Sequence, residues 1–280
     1  MPGRLRWFRP NRGFGPHVAA SPQIIANGAS TDLAWDTVSA STLEIDNSVG
    51  FVTGDSGSTP VTPPADADTI YTLTASNGVA PEVQAATAVR TVVPGSANFR
   101  YVRFSPLRLA ETLPGFAGAN SIQLAEFEFL NAGTPVVPVG VSNPGGDNPP
   151  GEEAANVLDG NAATKWLDFN KQGLVFDFGS PTLITSYRWT TGNDEAPRDP
   201  VAWLLEGSDD GSAWTLVDSA YRNRANPSEE ISFYAGLPRG ATTPAIPVPA
   251  SSSILPVITQ FIGDAPFLVS GEPLLLTWAT

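Results

Sequence analysis

The chain has 280 residues, a formal charge of −13, 26 glycines, 27 prolines, 15% charged residues and no cysteine. The missing cysteine excludes disulfides, thiolate catalysis and Cys-based zinc sites, and the acidic balance disfavours nucleic acid, whose phosphates need Lys and Arg to neutralise them. Apolar residues at 41%, with 9% aromatics, are enough for packed cores, so general disorder is not expected.

Turn formers between short runs rich in Val, Thr and aromatics predict an all-β chain of sandwiches. Residues 1–20 carry four arginines and no apolar h-region of a signal peptide; this stretch reads as a poorly ordered leader. No apolar run approaches the ~20 residues of a membrane-spanning helix.

From 21 to 94 the expectation is a β-sandwich. TDLAWDT sets Leu33 and Trp35 on one face, STLEID does the same for Leu43 and Ile45, and Tyr71, Leu73 and Ala75 alternate with threonines. The clusters TGDSGST and SNGVAP separate the runs. LAW at Leu33–Trp35 and YTLTASN at Tyr71–Asn77 resemble bacterial Ig-like repeats, which implies an Ig-like sandwich.

Residues 96–237 form the next unit. RYVRFSPLRL opens it, SIQLAEFEFLNAG puts Phe127 and Phe129 on one face, LVFDFG buries Phe176 and Phe178, and LITSYRWTTG alternates Leu183, Thr185, Tyr187 and Trp189. VAWLLEGSDDGSAWTLVDS predicts two strands joined at Asp209-Asp210-Gly211, because Asp-Gly supplies the positive φ of a tight hairpin. Trp166, Trp189, Trp203 and Trp214 are expected in the core. Residues 238–255, rich in Pro, Ser and Ala, predict a linker. Residues 256–280, ending LTW at Leu276–Trp278, look like the start of a second Ig-like copy. An apolar strand at the end of the chain implies a piece of a longer protein.

DGNAATKW at Asp159–Trp166, RDP at Arg198–Pro200 and EGSDDGSAW at Glu206–Trp214 together resemble the discoidin family, also called the coagulation factor type C or galactose-binding-like domain. The resemblance implies a jelly-roll sandwich whose loops at one end bind glycans and, in some members, lipid head groups or proteins. The strand pair YVRF…LAEFEF stands last in that family and first here, at Tyr101–Phe104 and Leu124–Phe129, which implies a circularly permuted version.

Asp159, Asn161 and Thr164 can aim several hard oxygens inward, as calcium requires, and the resemblance adds Glu126 from LAEFEF as the carboxylate completing a structural Ca²⁺ site. The alternative is that Asp159 only caps an Asx-turn. For ligand contact the candidates are Asn193, Asp194 and Arg198 in TTGNDEAPRDP, with Tyr221 and Arg222 in SAYRNRANP. Arg198-Asp199-Pro200 also reads as a corner that starts the next strand.

Catalysis is not expected. The single histidine, His17, lies in the leader segment, and the adjacent acidic pairs Glu152/Glu153 and Asp194/Glu195 lack the framework that holds two carboxylates across a sugar. The reading is a non-catalytic carbohydrate- or surface-polymer-binding module in a larger secreted bacterial protein, extracellular or at the cell surface. Its partner would be a glycan or a protein. The alternatives are a structural or adhesive stalk and an accessory module of an extracellular hydrolase.

Overall fold

The computed structural model describes residues 16–224, 226, 229–251, 260–263 and 276–279. These residues form an all-β protein without α-helices.

The first module has two sheets. One joins β1 (His17–Ser21), β3 (Thr31–Asp36) and β6 (Ser56–Val61) in the order β1-β3-β6. The other contains β2 (Ile24–Ala26), β4 (Thr42–Ile45), β5 (Gly50–Val52), β7 (Asp68–Ser76) and β8 (Val83–Val92), in the order β2-β8-β7-β4-β5. Strict alternation along β7 turns Tyr71, Leu73 and Ala75 inward onto Leu33, Trp35 and Ile45. β1 begins inside the segment expected to be leader. Its alternating Val18 and Ala20 are buried and it pairs with β3 in continuous register. Residues 1–15 lie outside the described residues.

The second module is a two-layered sandwich. Its strands are β9 (Ala97–Leu109), β10 (Ile122–Leu124), β11 (Glu126–Asn131), β12 (Thr134–Val136), β13 (Gly140–Ser142), β14 (Trp166–Asp168), β15 (Leu174–Ile184), β16 (Ser186–Thr190), β17 (Pro200–Ser208), β18 (Thr215–Ala220) and β19 (Ile246–Pro247). One layer runs β13-β15-β9-β17-β18 and the other β12-β11-β16-β19, with β10 and β14 forming a short separate pair. The opening strands belong to this sandwich: β9 lies between β15 and β17, and β11 pairs with β16. Inward residues of both layers meet in an aromatic core. Phe127 lies 5.0 Å from Phe176 and 5.2 Å from Phe104, and Trp189 meets Trp203 edge-on at 6.1 Å. Such pairs add to area burial.

Three local expectations are corrected. LITSYRW is not one strand. The chain leaves the five-stranded layer at Ile184 and enters the four-stranded layer at Ser186, so Leu183 is exposed while Ile184, Tyr187 and Trp189 are buried. The β17–β18 connection is longer than a tight hairpin. Asp210 accepts the backbone N–H groups of Ser212 and Ala213, and Gly211 takes φ +74°. Of the expected linker 238–255, residues 238–251 are described and are not free: Ile246 and Val248 are buried, β19 pairs with β16, and Pro94 bridges Pro249.

The two modules share a core. Ile24, Ala88 and Val92 of the first pack in the same cluster as Phe233 and Tyr234, and the Tyr234 hydroxyl accepts the N–H of Ile24 at 3.2 Å. Arg90 pins them electrostatically. Its side chain is 2% exposed and pairs with Asp68, itself 1% exposed, at 2.6 Å. The same guanidinium donates to the carbonyls of Ser219 and Arg222 and lies 5.0 Å from the Phe233 ring.

Of the segment from 256, β20 (Gln260–Gly263) and β21 (Leu276–Ala279) pair antiparallel, setting Trp278 opposite Phe261. The rest of that expected domain falls outside the described residues.

Candidate functional site

The loops between the layers gather at one end of the second module, and two buried charges fix them. Asp168, at the end of β14, is fully buried. Its carboxylate accepts the N–H groups of Asp147 at 2.6 Å, Asn170 at 3.0 Å and Gln172 at 2.6 Å, tying loop 143–148 to loop 168–173. Lys165 is 4% exposed. Its ammonium donates to Gln123 Oε1 at 3.0 Å and Asp194 Oδ1 at 2.6 Å, with Glu152 Oε1 at 3.7 Å. Gln123 Nε2 in turn donates to the carbonyls of Asp194 and Glu195. Gly192 is required there, because a Cβ would meet the Gln123 side chain at 2.6 Å.

Asn193, Asp194 and Arg198 therefore stand on a braced loop. Asn193 donates to the Ala163 carbonyl at 2.8 Å, and Arg198 lies 3.7 Å from Asp194, whose side chain remains half exposed. Burial works to raise the Asp194 carboxyl, but the Lys165 ammonium outweighs it and holds the group below its ordinary range. Arg198 closes a 3₁₀ turn over Ala196–Arg198, and Pro200 starts β17. Between them Asp199 is buried and paired with Arg239; burial dominates and raises its carboxyl to about 6.

Tyr221 and Arg222 follow β18. The Trp203–Ala220 register brings them back toward the end of the sheet where β17 starts. Among the described residues no hydrogen bond or ion pair joins them to the Asn193–Arg198 loop. Tyr221 donates to Glu230 and Arg222 stacks on the Tyr221 ring at 4.5 Å. The Arg222 carbonyl and the Arg224 N–H are taken by Arg90 and Asp68, so this loop also serves the contact between modules.

The residues considered for calcium come together. Asp159 follows the 3₁₀ turn Ala154–Leu158, accepts the Asn161 N–H at 2.8 Å and accepts the Thr164 hydroxyl at 2.6 Å. The Asx-turn is thus formed. Glu126 reaches the same spot and hydrogen-bonds Asp159, and its Oε1 is buried without a partner. Burial chiefly, and then the Asp159 contact, raise Glu126 to about 7. For Asp159 burial acts upward, but hydrogen bonds from Thr164, Asn161 and Glu126 leave it below the usual range. Two touching carboxyl groups hold either a shared proton or a cation. The orphaned oxygen and the hard-oxygen donors fit calcium. Among the described residues no cluster of three or more His, Cys, Asp and Glu side chains could hold a metal, so neutral oxygens would have to complete the shell.

Sequence reasoning missed Lys165, Gln123, Asp168 and Arg239, because burial of a polar side chain leaves no periodic trace. It also missed Phe169, an aromatic 43% exposed in the polar loop after Asp168; its signal was an aromatic between Asp168 and Asn170, outside any alternation. Trp214 is a correction. Trp166, Trp189 and Trp203 are fully buried, whereas Trp214 is half-buried beside the outer face of the five-stranded layer, with Arg103 4.3 Å from its ring.

The second module is thus an all-β sandwich with braced polar loops at one end. Residues 139–237 match the family model of the F5/8 type C domain. Domains of this family are often carbohydrate- or surface-binding modules, generally non-catalytic and typically extracellular or at the cell surface. The match begins at β13, so β9 to β12 lie before it, although β9, β11 and β12 complete the two layers. No curated protein and no solved structure matches the chain. Among the described residues no helix is long and apolar enough to cross a membrane.

Proposed function

We propose that the chain is a non-catalytic carbohydrate- or surface-polymer-binding unit of an extracellular or cell-surface protein, with the loop end of the second sandwich as its contact surface. The observation that carries this reading is the bracing of three loops by buried Asp168 and Lys165, which leaves Asn193, Asp194 and Phe169 displayed on a fixed scaffold, with the largely buried Arg198 beside Asp194. Loops ordered in advance lose less conformational entropy on binding. Calcium held by Glu126 and Asp159, with Asn161 and Thr164 supplying neutral oxygens, would stiffen the adjoining turn further and take no chemical part. The placement of β9 and β11 ahead of the family match supports a circular permutation, and the two sheets of the first module are consistent with an Ig-like spacer.

A glycan array probed with the full chain tests the proposal. Retention on at least one glycan or surface polysaccharide, weakened by Asn193→Ala, is expected. A folded protein that binds none of them counts against it. The docking of loop 221–224 onto the first module favours a second reading, a rigid stalk that presents other domains. That reading predicts no ligand and indifference to Tyr221→Ala.

A further inference from the structure

Beside the loop end, where loop 168–173 enters β15, the outer face of the five-stranded layer carries a groove of about 390 Å³ lined by Arg103, Ser105, Gln172, Gly173, Val175 and Trp214. Its floor follows from strand alternation. Val102 and Phe104 of β9 point into the core, so Arg103 and Ser105 face outward, and register sets Arg103 opposite both Val175 and Glu206. Arg103 Nε donates to Glu206 Oε2 at 2.8 Å, with Ser105 Oγ at 3.5 Å from the same oxygen. The loop after β17 forms one wall and brings in Trp214, against which the Arg103 guanidinium lies. Gln172 and Gly173, entering β15, form the other. Gly173 allows that wall to close on the floor, because a Cβ there would stand 2.3 Å from the Phe104 carbonyl oxygen.

We propose that this groove is a second binding site, taking one or two residues of a neutral sugar chain. It shares loop 168–173 with the loop-end surface but not Asn193, Asp194 or Arg198, so different variants test the two readings. The volume falls in the range of small-ligand clefts. The part of the Trp214 indole left open beside the Arg103 guanidinium offers apolar surface to the C–H groups of a pyranose, and the carboxylate, guanidinium, amide and hydroxyl groups around it match the alternating donors and acceptors of sugar hydroxyls. The charge of Arg103 is matched by Glu206, so the floor is electrically balanced and favours a neutral over an anionic sugar. In a chain of net charge −13 this also makes the groove the better place for an uncharged ligand.

Trp35, Trp166, Trp189 and Trp203 are buried, so among tryptophans of described burial Trp214 alone can report a ligand directly. The test titrates the full chain with cello-, xylo-, manno- and galacto-oligosaccharides, following tryptophan fluorescence and calorimetry. At least one series should give a saturable fluorescence change. That change should vanish in Trp214→Ala, and affinity should fall roughly tenfold or more in Trp214→Ala and Gln172→Ala, with unchanged melting. Should Trp214→Ala not fold, Gln172→Ala decides. The absence of any saturable change overturns the inference, as does undiminished affinity in Gln172→Ala. Binding lost in Asn193→Ala but kept in both groove variants overturns it too, and leaves the loop-end reading standing.

Discussion

Replacing Arg90 by Met tests whether the two modules behave as one body. The guanidinium is fully buried between them, 2.6 and 2.9 Å from the two oxygens of a buried Asp68, and it also satisfies the carbonyls of Ser219 and Arg222. Methionine keeps much of the packing on Phe233 but leaves Asp68 charged and unpaired. Breaking a buried pair from one side costs about 3–5 kcal/mol. The double variant Arg90→Met/Asp68→Leu removes both charges and is expected to recover part of that loss. The residual is about 1–3 kcal/mol, because the Arg224 N–H that Asp68 accepts at 2.7 Å is left without its acceptor. Urea unfolding followed by fluorescence measures both. The parent chain should unfold in one transition, and Arg90→Met should separate it into two or shift it by the amount given. A single variant costing under about 1 kcal/mol, or a double variant worse than the single, would refute the reasoning.

The raised carboxyl of Glu126 makes stability depend on pH with a definite sign. Its folded value of about 7 lies above the ordinary 4.5, so the contribution is fully present below about pH 4.5 and is lost as pH rises through 7, by about 1–3 kcal/mol after allowance for solvent screening. In EDTA the melting temperature should therefore fall across that window, and Glu126→Gln should flatten the fall; an unchanged slope in the variant counts against the pairing. Added calcium should raise the melting temperature above pH 7, by mass action on the folded state, and Asp159→Ala should abolish the rise. Equal melting with calcium and with EDTA removes the metal from the account. Lys165→Met leaves Gln123 Oε1 and Asp194 without their ammonium. It should cost about 1–3 kcal/mol and speed amide exchange at 192–198, whereas unchanged exchange there would mean that the loop is braced otherwise.

The sequence made the strands legible where one face is buried. The alternation at Tyr71, Leu73 and Ala75 and at Phe127 and Phe129 reads directly as sandwich faces, and both sets are buried as expected. Alternation cannot show where a strand changes layer, because the phase slip at Thr185 costs the pattern only one residue; for that reason Leu183 reads as inward although it is exposed. Residues 238–251 read as a linker because proline and alanine also suit an edge strand, and only the pairing of Ile246 and Pro247 to β16 distinguishes the two. Of the candidate site, the Asp159 turn was legible from spacing, since Asp, Asn and Thr form local bonds. Its meeting with Glu126 joins residues 33 positions apart and needed the family resemblance. The bracing by Lys165 and Asp168 was invisible, because a lysine in a polar loop looks like any solvated charge until the surrounding chain buries it.

The central claim is that ligands are held by the second sandwich. Amide hydrogen exchange on the full chain, with and without the glycan it retains most strongly, measures this most directly. Slowed exchange at 143–153, 168–173 and 191–199, with the first module unchanged, is the predicted result. Protection confined to residues 17–92 would contradict it.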